Sequence, residues 1–269
     1  GGEIKAMALS PDGKQIAVGG KDRNVIVWNV ADGQRTTLGG FQDWLAFHGV
    51  TFSPDGKYLA AAGFDQTMRV WRMGARVDRV VAEQTEELLG AMYMPDGRRI
   101  VSVGALGTVS LHSLDAATPR MLTKHEGRVL DVRVFPDGNK VVTSGEDGTI
   151  RIIPLSGELP AVLRAFRGNT HRMAISPDGK FIATGGVDKK VRLWDVATST
   201  FDVVVEHEKN IEALVFSPDG KTLASGSDDN SVQLIKLAPR EVKLLGKAER
   251  GIRALSYSPD GKTLAAGSM

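Results

Sequence analysis

The chain has 269 residues, 42% of them hydrophobic and 25% charged, which is the composition of an ordinary globular protein, and no apolar run approaches the ~18 residues of a membrane span. A formal charge of +2 supplies no bulk attraction to nucleic acid, and the absence of cysteine excludes disulfides and thiol chemistry. The opening "GGEIKAMALS" lacks the basic and apolar regions of a signal peptide, so the expected compartment is the cytoplasm.

In chain order, the first period-two alternation is Met7-x-Leu9, followed by Pro11-Asp12-Gly13, the strand "QIAVGG" and the strand "NVIVWNV". A stretch rich in turn residues, "ADGQRTTLGGFQDW", separates this from Val50-x-Phe52, a second Pro-Asp-Gly at Pro54, "YLAAAG" and "TMRVWRM". The same phrase recurs at Pro95, Pro136, Pro177, Pro218 and Pro259, with a first interval of 43 residues and later ones of 41. Proline presets φ for the first turn position, aspartate suits the second, and glycine accepts the left-handed geometry that rejoins the ladder. A weaker fourth strand follows in most copies: "VDRVVA", "RMLTK", "AVLRAF", "FDVVVE" and "EVKLL". Each repeat therefore reads as a four-stranded antiparallel meander with no helical period. One such sheet cannot bury both faces alone, so copies are expected to stack around an axis.

The Gly-x-x-Asp turn followed by a strand ending in Trp resembles the WD-repeat (tryptophan–aspartate) β-propeller. The best copy, "SPDGKFIATGGVDKKVRLWDV", holds the literal pair Trp194-Asp195. The resemblance covers the whole chain and implies an all-β fold: residues 1–269 as one seven-bladed propeller whose seventh blade has two strands. Near-consensus text of this kind looks similar to bacterial WD-repeat proteins, in which propellers often accompany other modules. A TolB-like periplasmic propeller shares the SPDG hairpin but generally lacks the Gly-x-x-Asp…Trp phrase.

In the family, a Trp, a Ser or Thr, a His and the turn Asp typically form a buried hydrogen-bond network within a blade. Offsets from the Pro-Asp-Gly proline map these onto Asp22, Asp65, Asp147, Asp188 and Asp229; Trp28, Trp71 and Trp194; Ser102, Thr143, Thr184 and Ser225; His125 and His207. No repeat has all four. Repeat four has Ile153 for Trp, repeat six has Ile235, repeat five has Phe166 for His, and repeat three has Leu106 for Asp and Gln84 for His. A catalytic triad occurs once and faces a pocket, whereas these residues recur on a 41-residue period, so they read as staples of the fold and not as an enzyme's machinery. The five histidines are scattered over separate repeats without ligand spacing, and no phosphate-binding glycine loop is present, so no metal or cofactor is expected.

Function is then expected on the surface. The resemblance implies a docking platform for a protein or peptide, using the rim that carries the Asp turn and the loop before each first strand. Positions nearest that rim include Trp44, Phe64, Leu89, Leu106, Arg128, Leu130 and His171. Trp44 lies where other copies carry Glu126, Arg167, Glu208 and Glu249; it reads either as an interface anchor or as packing for the longer loop beside it. Local basic residues such as Arg128, Arg172 and Arg253 leave nucleic acid open as a partner, but nothing in the net charge favours it. The competing reading is a small-ligand or enzymatic propeller using the central channel, which the small and apolar innermost strands do not favour. Because the last copy stops at Met269 after two strands, a longer parent polypeptide is expected, with roughly twenty further residues completing that blade.

Overall fold

Five of the seven Pro-Asp-Gly sequences, those preceded by serine, close a hairpin through the same set of bonds. In the first, Ser10 Oγ donates to Asp12 Oδ1 at 2.7 Å, the same oxygen accepts the Lys14 N–H at 3.1 Å, and Ser10 Oγ accepts the Gln15 N–H at 2.9 Å. The Gly13 N–H returns to the Ser10 carbonyl at 2.9 Å with Gly13 at φ 71°, a conformation that glycine adopts without penalty. Ser53-Asp55, Ser176-Asp178, Ser217-Asp219 and Ser258-Asp260 repeat the pattern. The serine hydroxyl holds each of these exposed carboxyls below the ordinary aspartate value, with help from the lysine N–H.

The computed structural model describes residues 4–74, 78–116, 118–164 and 170–268. Among them are 26 strands and no helix. The first sheet orders Ile4–Leu9, Gln15–Gly20, Val25–Asn29 and Arg35–Leu38 as in sequence, and repeats four, five and six each form a four-stranded sheet in the same order. Arg35–Leu38 lies inside the turn-rich stretch, where two threonines and a single leucine give no apolar alternation. Repeat seven is the antiparallel pair Ile252–Tyr257 and Leu264–Ser268. Fold class and incomplete last sheet thus agree with the sequence reading.

One connection was not foreseen. The first strands of repeats two and three, Leu45–Phe52 and Leu88–Tyr93, share a parallel bridge at His48 and Gly90, which merges the two sheets into one of eight strands. Gly90 has no side chain to hold the strands apart, and the register of Leu45–Phe52 against its neighbour shifts between Leu45 and Val50.

The chain divides into two compact units, residues 1–134 with 138–141 and 153–160, and residues 135–137 with 142–152 and 161–269. Within each unit, strand alternation sends successive side chains into different cores. In strand Tyr58–Gly63, Leu59 and Ala61 join Ala17, Val27 and Leu45 of one cluster, while Ala60 and Ala62 join Met68, Leu88 and Ile100 of the next. In the second unit, Ile182 and Trp194 pack with Phe135 and Ile150, while Ala183 and Leu193 pack with Ile211 and Phe216. Both faces of a middle sheet are therefore apolar, and each fully buried Leu or Ile contributes about 1.5–3 kcal/mol. No described helix is long and apolar enough to cross a membrane.

Candidate interaction surface

The turns that carry the rim are held by carboxylates. In repeat two, Asp65 Oδ1 accepts the Thr67 N–H at 3.1 Å and the Thr67 hydroxyl at 2.7 Å, and its Oδ2 accepts the Gln42 N–H of the incoming loop at 2.8 Å. In repeat six, Asp229 Oδ1 accepts the Ser231 N–H and hydroxyl at 2.9 and 2.5 Å, while Oδ2 accepts from Glu208 N–H at 2.9 Å and His207 Nδ1 at 3.0 Å. Ser225 Oγ lies 2.8 Å from His207 Nε2, so the neutral Nδ1–H tautomer satisfies both ring nitrogens. Burial pushes the Asp229 carboxyl up, but the Ser231, Glu208 and His207 contacts outweigh it and bring it to about 2. Burial lowers His207 and outweighs the opposing pull of Asp229.

Repeats four and five use an arginine. Asp147 Oδ1 accepts the Thr149 N–H and hydroxyl at 3.0 and 2.7 Å, with Arg151 Nη2 at 3.2 Å from Oδ2, and Arg192 Nη1 stands 2.7 Å from Asp188 Oδ2. Thr143 is fully buried, and His125, 2% exposed, donates its backbone N–H to the Gly107 carbonyl at 2.9 Å. The Trp194 indole N–H donates to Thr184 Oγ1 at 2.9 Å inside the core. Thr184→Ala is expected to cost about 1–2 kcal/mol, because the 2%-exposed indole would lose its acceptor; Thr184→Ser should recover most of it, as read from denaturation midpoints. Repeat one differs. Asp22 is exposed with no partner for its carboxylate among the described residues, and Val18 stands opposite Ile26 where Thr184 stands in repeat five, so Trp28 has no hydroxyl to bond. Phe166 lies outside the described residues.

The rim residues fall into two groups. Trp44 is 40% exposed and Leu106 is 61% exposed. Phe41 and Leu45 on either side of Trp44 sink into the core, which leaves the indole outside, with Lys21 Nζ 4.7 Å from its ring centroid. The Trp44 carbonyl accepts the Phe64 N–H at 2.8 Å, so the longer loop is stitched to the Asp turn. Phe64 and Leu89 are half-buried, packed against the clusters of Met68 and of Val101, and Leu130 is half-buried as well. Arg128 is exposed; the His171 side chain lies outside the described residues. In the second unit, the Arg253 guanidinium bridges Glu212 at 3.3 Å and Asp228 at 3.0 Å, and Arg172 reaches Glu212 at 3.5 Å. The charges of that rim are spent on each other.

The family model described as WD domain, G-beta repeat matches residues 1–29, 34–72, 118–153, 160–195, 199–236 and 241–269. The chain belongs to the WD-repeat family. Repeats of this family generally mediate protein–protein interactions, and its propellers are typically non-enzymatic scaffolds that bind proteins or peptides. No curated protein matches the chain well enough to count as a relative.

None of the matched WD-repeat segments covers residues 73–117, and repeat three shows why. Its Asp position is Leu106, but Glu86 reaches in from the preceding loop: one carboxylate oxygen accepts the Leu106 N–H and the other the Thr108 hydroxyl, the latter being a donor that the turn Asp serves in repeats two, four and six. Its Trp position is His112, opposite Ile100 as Trp194 is opposite Ile182. His112 Nε2 lies 2.8 Å from Ser102 Oγ and 3.2 Å from Gln84 Nε2, so the WD-repeat network is rebuilt with different residues. Carrying the Trp offset from Pro95 would have found His112, which otherwise reads as one of the scattered histidines. Glu86 carries no such signal, because it reaches the turn from another loop.

Proposed function

We propose that the chain is a non-enzymatic docking platform that captures a protein or peptide partner on the loop-lined rim of its first unit. Trp44 and Leu106 act as the apolar anchors, and Arg128 contributes a charge. The observation that carries this reading is Trp44 itself, a large aromatic left 40% exposed between two buried neighbours, at a position that is charged in other copies. Large aromatics of this kind supply most of the binding energy at protein interfaces. Phe64, Leu89, Leu130 and His171 are assigned to the same rim, with the half-buried Phe64, Leu89 and Leu130 shaping it more than gripping the partner.

The test is affinity capture by the wild type and by a Trp44→Ala/Leu106→Ser variant, both shown to be folded by thermal melting. Loss of at least about tenfold in affinity for the captured partner is expected, since an aromatic anchor contributes about 2 kcal/mol or more. Undiminished capture by the folded variant would remove the assignment.

A further inference from the structure

A second binding feature lies in the first unit, away from the Asp turns. A groove of about 390 Å³ has Val27, Leu38, Trp71 and Met73 in its lining. Trp71 holds in repeat two the place of Trp194 in repeat five, paired with Leu59 as Trp194 is with Ile182. However, Ala61 stands where Thr184 accepts the indole proton, so the Trp71 N–H has no acceptor among the described residues. Trp71 is only 3% exposed as a residue, but its indole nitrogen is not sealed from solvent, so the unbonded N–H is open to whatever enters the groove.

Other polar groups line the same groove, exposed or half-buried. The side chains of Gln15, Gln34, Thr36 and Arg72 have no hydrogen-bond or ion-pair partner among the described residues. Among the described residues Arg72 is the one charged side chain in the lining. An apolar wall, a few polar donors and one cation in a groove of this size form the usual make-up of a specific ligand site.

We infer that this groove binds an acidic peptide segment. An Asp or Glu side chain of the segment meets Arg72, a carboxylate or peptide oxygen accepts from the Trp71 indole, and an apolar side chain next to it rests on Leu38 and Met73. The charge of the lining selects the acid, and the apolar wall selects a peptide over a small anion.

The experiment follows the tryptophan indole signals of the isotopically labelled chain by NMR, with Trp71 assigned by its absence in a Trp71→Phe variant. The probes are end-blocked peptides of alternating Asp and Leu, of Asn and Leu, and of Lys and Leu, together with sodium acetate. A saturable shift of the Trp71 signal with the Asp peptide alone is expected. Arg72→Glu, at an exposed position, should weaken that response about tenfold or more. The Trp44→Ala/Leu106→Ser rim variant should leave it unchanged, which separates this site from the rim. No shift with the Asp peptide, equal shifts with the Lys or Asn peptide, an equal response to acetate, or an unaltered response in Arg72→Glu would each overturn the assignment.

Discussion

Replacing Glu86 with alanine is expected to destabilise the first unit by about 3 kcal/mol, more than loss of an ordinary surface carboxylate, seen as a lower urea midpoint. Glu86 is 5% exposed and serves both the Leu106 N–H and the Thr108 hydroxyl. Removing it leaves two donors without their carboxylate, and bonds to a charged acceptor are worth about 1.5–3 kcal/mol each. Gly104 is matched to this arrangement, since a methyl group there would overlap the Glu86 carboxylate; Gly104→Ala should therefore produce much of the same loss. The decisive variant is the double one. Leu106→Asp places a carboxylate where repeats two and six carry Asp65 and Asp229, both of which bond the N–H and hydroxyl two residues ahead. In the Glu86→Ala background it should restore about half or more of the lost stability; in the wild type it should destabilise, because two carboxylates would then compete for one turn. A double variant no more stable than Glu86→Ala would mean that Glu86 does not replace the turn aspartate.

Most of the architecture was legible because the physics that builds it is local and repeated. Ser10-Pro11-Asp12-Gly13 closes its own turn with atoms at most five residues apart, so the sequence contains the whole of that element. The alternation of Leu59 and Ala61 against Ala60 and Ala62 likewise encodes a sheet with two buried faces. Contacts outside the signature offsets escaped. Glu86 meets Leu106 across 20 residues from a position that carries no signature residue, and the His48–Gly90 bridge joins two different meanders. The rim was legible in position but not in exposure. Trp44 and Phe64 look alike as aromatic residues beside charged ones, yet Phe64 turns into the cluster of Met68 and Leu88, whereas Trp44 is held outward by the burial of Phe41 and Leu45. The free indole of Trp71 was implicit in the sequence as Ala61, but only the register that pairs Leu59 with Trp71 shows which hydroxyl is missing.

Acid should weaken the fold in two separable stages, and His112 is expected to dominate the first. Burial lowers this imidazole from 6.5 to about 4. Its Nε2 accepts from the Ser102 hydroxyl and the Gln84 amide, an arrangement that a second ring proton would break. The unfolded chain takes up that proton near 6.5, whereas the folded chain refuses it until about 4. The stabilisation is therefore fully present above pH 6.5 and is lost as pH falls to about 4. At about 1.4 kcal/mol per pH unit this amounts to about 3 kcal/mol. His207, also lowered by burial, adds to the same window. Asp229, lowered from 3.8 to about 2, contributes stability that disappears only below that window, as pH drops through its folded value. Urea midpoints of the wild type and of His112→Gln between pH 7 and pH 3.5 separate these contributions. The variant, lower at neutral pH, should converge on the wild type by about pH 4, because it has no proton to refuse. Parallel curves across that range would show that His112 titrates freely and that repeat three does not hold it neutral.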